Sequence, residues 1–236
     1  QMPQLFFGDQ GREFYNRINA GLVAAWGVPG FFKPHNPFAV WNPFYTSGDH
    51  KISLYDTTPL KETLLKLIDF DRLNNGEIRL SAGAVNVKSG NFIYFDSKKI
   101  EIKPEHIMAS GALPEGFPPI EIDGEWYWDG GLVSNTPLQY VIDEQSQDDM
   151  CIFQVDLFSA QGKMPEDLSD VSKRISDIRY SSRTRLNTKI FKQTQEVRHT
   201  IARLLKEYPD QNILTDKELR LLKHWSCDSA ITIAHL

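Results

Sequence analysis

The chain has 236 residues, 41% of them hydrophobic and 24% charged, an ordinary balance for a globular protein long enough to bury a full core. A net charge of −5 argues against a general nucleic-acid binder. No run approaches the roughly 18 consecutive apolar residues of a membrane span.

The first residues, QMPQLFFGDQGREF, lack the basic start and apolar stretch of a signal peptide. The chain begins at Gln1 rather than Met, which gives the expectation of a cut piece. The two widely separated cysteines, Cys151 and Cys227, read as lone thiols of a reducing compartment, buried as small apolar residues. The expected localisation is cytoplasmic.

Residues 11–26 read as a helix ending near Gly27 and Pro29. Residues 27–50 hold four prolines and many aromatics and read as an irregular loop. Its aromatics pack on the core in the plainer reading; in a lipid enzyme they would touch acyl chains. Residues 58–68 predict a short amphipathic helix with Thr58 as N-cap and Pro59 in its first turn. Strands are expected from Ile78 to Val87 and, after a Ser89-Gly90 turn, from Phe92 to Phe95. Ile120 to Trp128 reads as a hairpin turning at Asp123-Gly124 with the positive φ angles of a type I′ turn. Residues 136–144 begin a helix behind Thr136 and Pro137, and residues 151–157 read as a buried strand.

The strongest periodicity follows residue 170. Val171, Ile175, Ile178, Ser182, Leu186, Ile190, Thr194, Val197, Ile201, Leu204 and Tyr208 step by three or four, one stripe weakened at Ser182 and Thr194. Basic residues mostly fall off it. Between Ser172 and Lys206 there are ten Lys/Arg against two acids, a local +8, so the remainder carries −5 − 8 = −13. The segment reads either as one or two long helices with solvated faces or as a basic face resting on anionic lipid or an acidic partner. Thr215 to Leu236 begins helical and ends on the apolar SAITIAHL.

The chemistry concentrates in residues 109–138, ASGALPEGFPPIEIDGEWYWDGGLVSNTPL. Asp-Gly-Gly alone is common in turns. Here an aromatic strand delivers Asp129, the Gly130-Gly131 pair follows, and Asn135-Thr136-Pro137 opens a helix. An aspartate at a strand end, followed by residues without side chains, lets another residue's oxygen come close. A base paired to a nucleophile requires that. Asp123 and Asp129 also flank Trp126 and Trp128, a pairing a glycosidase could use, but Asp123 is better explained as the turn residue. The six histidines show no H-E-x-x-H pattern, and no metal is expected.

Ala109-Ser110-Gly111-Ala112-Leu113-Pro114, Phe117-Pro118, Asp129-Gly130-Gly131 and Asn135-Thr136-Pro137 occur in the order of the second signature of the patatin-like phospholipases. Upstream, Ala84 to Gly90 with Tyr94-Phe95 resembles the strand–turn–strand that leads into that block. The chain resembles a bacterial branch of this family over roughly residues 10–210. The resemblance implies an α/β fold with a central sheet flanked by helices and a C-terminal helical extension. Residues 1–165 would form the catalytic domain and 166–236 the extension. It also implies a lipid or acyl-ester substrate and a Ser–Asp dyad without cofactor, with Asp129 as general base and Gly130, Gly131, Asn135 and Pro137 as its supporting turn. Peripheral contact with an anionic membrane is a further expectation. The alternative to the hydrolase is a non-catalytic scaffold that binds a partner or a membrane surface through the basic helix. The family's G-x-S-x-G elbow and glycine-rich oxyanion loop are not found in this sequence. They are expected upstream of Gln1, and this chain alone is expected to be inactive.

Overall fold

A computed structural model describes residues 9–35, 52–134, 137–143, 149–155, 157–208, 214–227 and 229–235. The chain divides into two compact units, Gln1–Val133 and Ser134–Leu236. It is a mixed α/β protein with a four-stranded sheet and a long C-terminal helix.

In the first unit, α1 (Asp9–Trp26) stops where Gly27 takes φ +75° and caps back to the Val23 carbonyl at 2.8 Å. The predicted boundary therefore has a backbone cause. The next residues turn tightly through a Val28–Phe32 bridge, and β1 (Lys33–Pro34) pairs antiparallel with β2 (Tyr55–Asp56). Phe32 is buried, with its ring 4.7 Å from that of Tyr55 and 5.3 Å from that of Phe117. This part of the aromatic loop packs inward; residues 36–50 of that loop lie outside the described residues.

Helix α2 (Thr58–Leu67) is capped differently from expectation. Its N-cap is Thr57, not Thr58. Asp56 Oδ1 accepts both the Thr58 N–H (2.8 Å) and hydroxyl (2.6 Å), so the preceding carboxylate satisfies the first turn. A short α3 (Phe70–Asn75), capped by Asp69, follows.

The sheet has the order β4-β3-β6-β5, every pair antiparallel, built from β3 (Ser81–Asn86), β4 (Phe92–Asp96), β5 (Ile120–Ile122) and β6 (Glu125–Asp129). Strand β3 is shorter than the apolar run suggested, because Arg79 precedes the ladder and turns its side chain onto Asp96. The β3–β4 turn is fastened by Asn86 Oδ1, which accepts the N–H groups of Lys88 and Ser89. The β5–β6 turn has φ +51° at Asp123 and +81° at Gly124, as a type I′ turn requires. Helix α4 (Pro104–Ser110) packs on this sheet. Ala84, Phe95, Ile102, Ala109 and Ile122 form the shared core. Ala84 and Ala109 are fully buried, and such small side chains let a helix lie close to a strand.

In the second unit, α5 (Leu138–Asp143) contributes Leu138 and Ile142 to a core with Phe191, against which Ile152, Ile231 and Ile233 pack. Strand β7 (Met150–Gln154) pairs in parallel with β8 (Ile231–His235). The sequence expectation of a buried strand here is corrected: Phe153, Val155 and Leu157 are exposed, at 67, 60 and 83%. Among the described residues β7 is paired on one side only, so alternate side chains keep their exposure. Cys151 is exposed in β7 and Cys227 is buried, so only one thiol matches the expected burial.

The periodic segment is a single 40-residue helix, α6 (Leu168–Glu207), with Asp167 as its N-cap. It buries Ser181, Thr184, Thr188, Phe191, Gln195 and Ala202, a largely polar seam. The apolar stripe instead faces solvent: Val171, Ile175, Ile178, Leu186, Ile190, Val197, Leu204 and Tyr208 are all exposed. At about 100° per residue the stripe lies roughly opposite the seam. Helix α7 (Asp216–Trp225) follows, opened by a Thr215–Glu218 capping box. No described helix is long and apolar enough to cross a membrane.

Candidate active site

Asp129 is the last residue of β6 and the N-cap of the 3-10 turn Gly130–Leu132. Two backbone contacts fix it. Across the sheet it pairs with the fully buried Ala84 of β3. Its own N–H donates to the Ala112 carbonyl at 2.9 Å. Ala112 follows α4, so the chain end of that helix and the end of β6 are tied together. Two blocks that the sequence places in one signature, residues 109–114 and 129–131, therefore meet in space.

The carboxylate is half-buried, and Oδ1 accepts the Gly131 N–H at 2.7 Å. Among the described residues Oδ2 accepts no hydrogen bond. Burial pushes the Asp129 pKa above the ordinary aspartate value, and the Gly131 N–H opposes that shift only in part. A carboxyl group held this way has one oxygen clamped, one available, and a proton affinity above that of a solvated aspartate.

Gly130 is required by space. A Cβ there would lie 2.6 Å from the Gly83 carbonyl oxygen and 2.8 Å from its carbon. At Gly83 a Cβ would meet the Phe92 ring at 2.6 Å, a clash with a side chain rather than with backbone, which a shift of the ring can relieve. Sequence reasoning missed Gly83 and Phe92. The available signal was a glycine inside a strand, which marks close approach of another backbone. Gly131 supplies the N–H that orients Asp129.

Other residues of the expected set fall elsewhere. Pro137 lies in the second unit immediately before α5, and its carbonyl accepts the Val141 N–H at 3.5 Å. Asn135 lies outside the described residues. Ser81, the one serine with a glycine two positions on, is committed to Asp96: its Oγ donates to Oδ2 at 2.9 Å. Asp123, the second carboxylate of the glycosidase idea, is the turn residue. No three His, Cys, Asp or Glu side chains among the described residues converge as a metal site would need.

Residues 50–142 match the family model described as patatin-like phospholipase, and residues 178–236 match a second one described as patatin phospholipase. This chain belongs to the patatin-like phospholipases. The first match contains the sheet, α4 and Asp129; the second begins within α6 and runs through α7 and β8. The basic helix is thus part of a patatin-associated segment. A search of curated proteins found no match to the chain.

Proposed function

We propose that the intact protein is a serine-dependent lipid acyl hydrolase in which Asp129 is the general base of a Ser–Asp dyad. The observation that carries this reading is the Asp129 carboxyl itself: half-buried at a strand end, clamped through Oδ1 by Gly131, with a raised pKa. A base with a proton affinity nearer the operating pH accepts a hydroxyl proton more readily than a solvated aspartate does.

The reaction runs in two halves. Serine Oγ attacks the ester carbonyl and passes its proton to Asp129, and the tetrahedral oxyanion collapses with loss of the alcohol, which takes that proton. Water then gives a proton to Asp129 as it attacks the acyl-serine, and the carboxylic acid leaves while serine recovers its hydrogen. Gly130 and Gly131 hold the base in register. Asn135 and Pro137 are read as structural residues rather than substrate contacts.

The chain contains no G-x-S-x-G, so the serine is assigned to no residue of this sequence. The competing reading is a patatin-like scaffold that binds lipid or a partner without hydrolysis. The local +8 of residues 172–206, a surface for such binding, is what favours it. Labelling of the intact protein with a fluorophosphonate decides between them. Stoichiometric modification of a serine that is lost on prior acylation supports the hydrolase. No labelling of folded, intact protein supports the scaffold.

A further inference from the structure

The outward face of α6 is unlike the surface of a solvated helix. Ile175, Ile178, Leu186, Ile190, Val197 and Leu204 make one stripe along about 45 Å of helix, and each is exposed. The buried seam opposite is mostly polar and includes Ser181 Oγ and both side-chain polar atoms of Gln195, which have no hydrogen-bond partner among the described residues. Scattered exposed apolar residues are normal, but a continuous stripe of this length marks a contact surface.

Two observations select what covers it. The first is charge. Arg185, Lys189 and Lys192 follow one border of the stripe, and with Thr184, Thr188, Gln193 and Glu196 they line an open groove of about 550 Å³. The segment carries +8 within a chain of −5, so its cover is anionic. A second copy of α6 would bring the same positive charge against itself. The second observation is periodicity. From Val171 to Tyr208 the stripe advances 37 residues in ten steps, about 3.7 per step. A left-handed coiled-coil seam needs 3.5, and this stripe drifts the opposite way, out of such a seam within a few turns. It suits a helix lying on a surface that imposes no register.

We infer that α6 is an interfacial docking helix: its apolar stripe enters the outer layer of an anionic lipid bilayer while Arg185, Lys189 and Lys192 take lipid phosphates in the adjoining groove. The helix lies in the membrane plane rather than crossing it. Choosing lipid over an acidic protein rests on the acyl-hydrolase reading, because a phospholipase must reach substrate held in a bilayer. The role of α6 is then to concentrate the enzyme where its substrate is.

The test uses the intact protein and vesicles of phosphatidylcholine, with and without 30 mol% phosphatidylglycerol (about a third anionic lipid), in co-sedimentation. The variants are Ile175→Glu/Leu186→Glu/Ile190→Glu and Arg185→Glu/Lys189→Glu/Lys192→Glu. The stripe and border side chains are exposed, so circular dichroism should confirm unaltered folding. Expected is salt-sensitive binding to the anionic vesicles, weakened about tenfold or more by either variant, with hydrolysis of a water-soluble short-chain ester unchanged. Binding retained by both variants, or equal binding to neutral vesicles, overturns the proposal. So does a dimer in light scattering that the stripe variant converts to monomer, since a second copy would then be the cover. Loss of soluble-ester hydrolysis in the wild type, with vesicle binding intact, sinks the dyad and leaves the docking helix standing.

Discussion

The Gly131 N–H donates to Asp129 Oδ1 at 2.7 Å, yet burial still leaves the carboxyl pKa raised. The consequences for activity and stability have opposite signs. In the dyad reading Asp129→Asn removes the base, and hydrolysis of a short-chain p-nitrophenyl ester should fall roughly 10²–10⁴-fold. For stability, the native state binds more protons than the unfolded state between the ordinary and raised pKa values. The native state therefore loses stability as pH rises through that window, and the ionised carboxylate is a net cost at neutral pH. Asparagine keeps an oxygen for Gly131 and carries no charge. Asp129→Asn should thus be more stable than wild type in urea at neutral pH, with the gain shrinking toward pH of about 4. An Asn variant that is active, or less stable at neutral pH, contradicts this account of Asp129.

Gly130→Ala should lower stability by about 1–3 kcal/mol, because the new methyl meets backbone rather than a side chain that can move aside. The Gly83 carbonyl belongs to the β3 ladder, so the end of β6 must shift and carry Asp129 with it. Activity per folded molecule should fall as well. Gly124→Ala is the control. A Cβ there meets nothing, and only its φ of +81° is disfavoured, at about 1 kcal/mol. Chemical denaturation and ester turnover of the two variants should separate: both lose stability, and only Gly130→Ala loses turnover.

These two glycines also show what was legible in the sequence. The Asp123-Gly124 hairpin is local, since two adjacent residues set the sign of φ and so the turn. The order of Ala109, Asp129 and Gly130 was legible as a signature, but its cause was not. That cause is the Asp129–Ala112 hydrogen bond and the approach of Gly130 to Gly83, contacts between residues far apart in sequence. Helix α4, which ends at Ser110, is seven residues long and too short to show a helical period. The stripe of α6 was read correctly as a helix, yet which face it buries depends on α5 and the β7–β8 pair, and period alone cannot choose. Strand β7 was misread because an apolar run reports what a strand can bury, not what lies against it.

Asp96 is completely buried, and Arg79 Nε donates to its Oδ1 and Oδ2 at 3.0 and 2.9 Å; Arg79 Nη2, Ser81 Oγ and the Lys98 N–H donate to the same carboxylate. Removing the guanidinium leaves a buried carboxylate without its counter-charge. Arg79→Met should cost about 3 kcal/mol, the low end for a broken buried pair, because other donors, Ser81 Oγ and the Lys98 N–H among them, remain. The double variant Arg79→Met/Asp96→Leu should recover part of that loss. Urea midpoints of the single and double variants check this, and a double variant less stable than Arg79→Met would show that Asp96 acts through its other bonds instead.

His106 couples pH to the same region. It is buried in the first turn of α4, its ring 4.5 Å from that of Phe95, and its Nδ1 accepts the Lys103 N–H at 2.8 Å. Nδ1 can accept only when it carries no proton. Burial, the largest influence, holds the His106 pKa below the ordinary histidine value, and the nearby Glu105 opposes it. A depressed base means that the unfolded state binds more protons than the native state between the two pKa values. Stability from His106 is therefore fully present above the ordinary histidine pKa of roughly 6.5 and is lost as pH falls below it. His106→Phe keeps an aromatic ring beside Phe95 but removes both the cap and the titration. The difference in urea midpoint between wild type and His106→Phe should favour wild type at pH of about 7.5 and shrink by pH of about 5. Asp129 titrates in both proteins and cancels from that difference. A difference that stays constant across this range would show that His106 acts through packing alone.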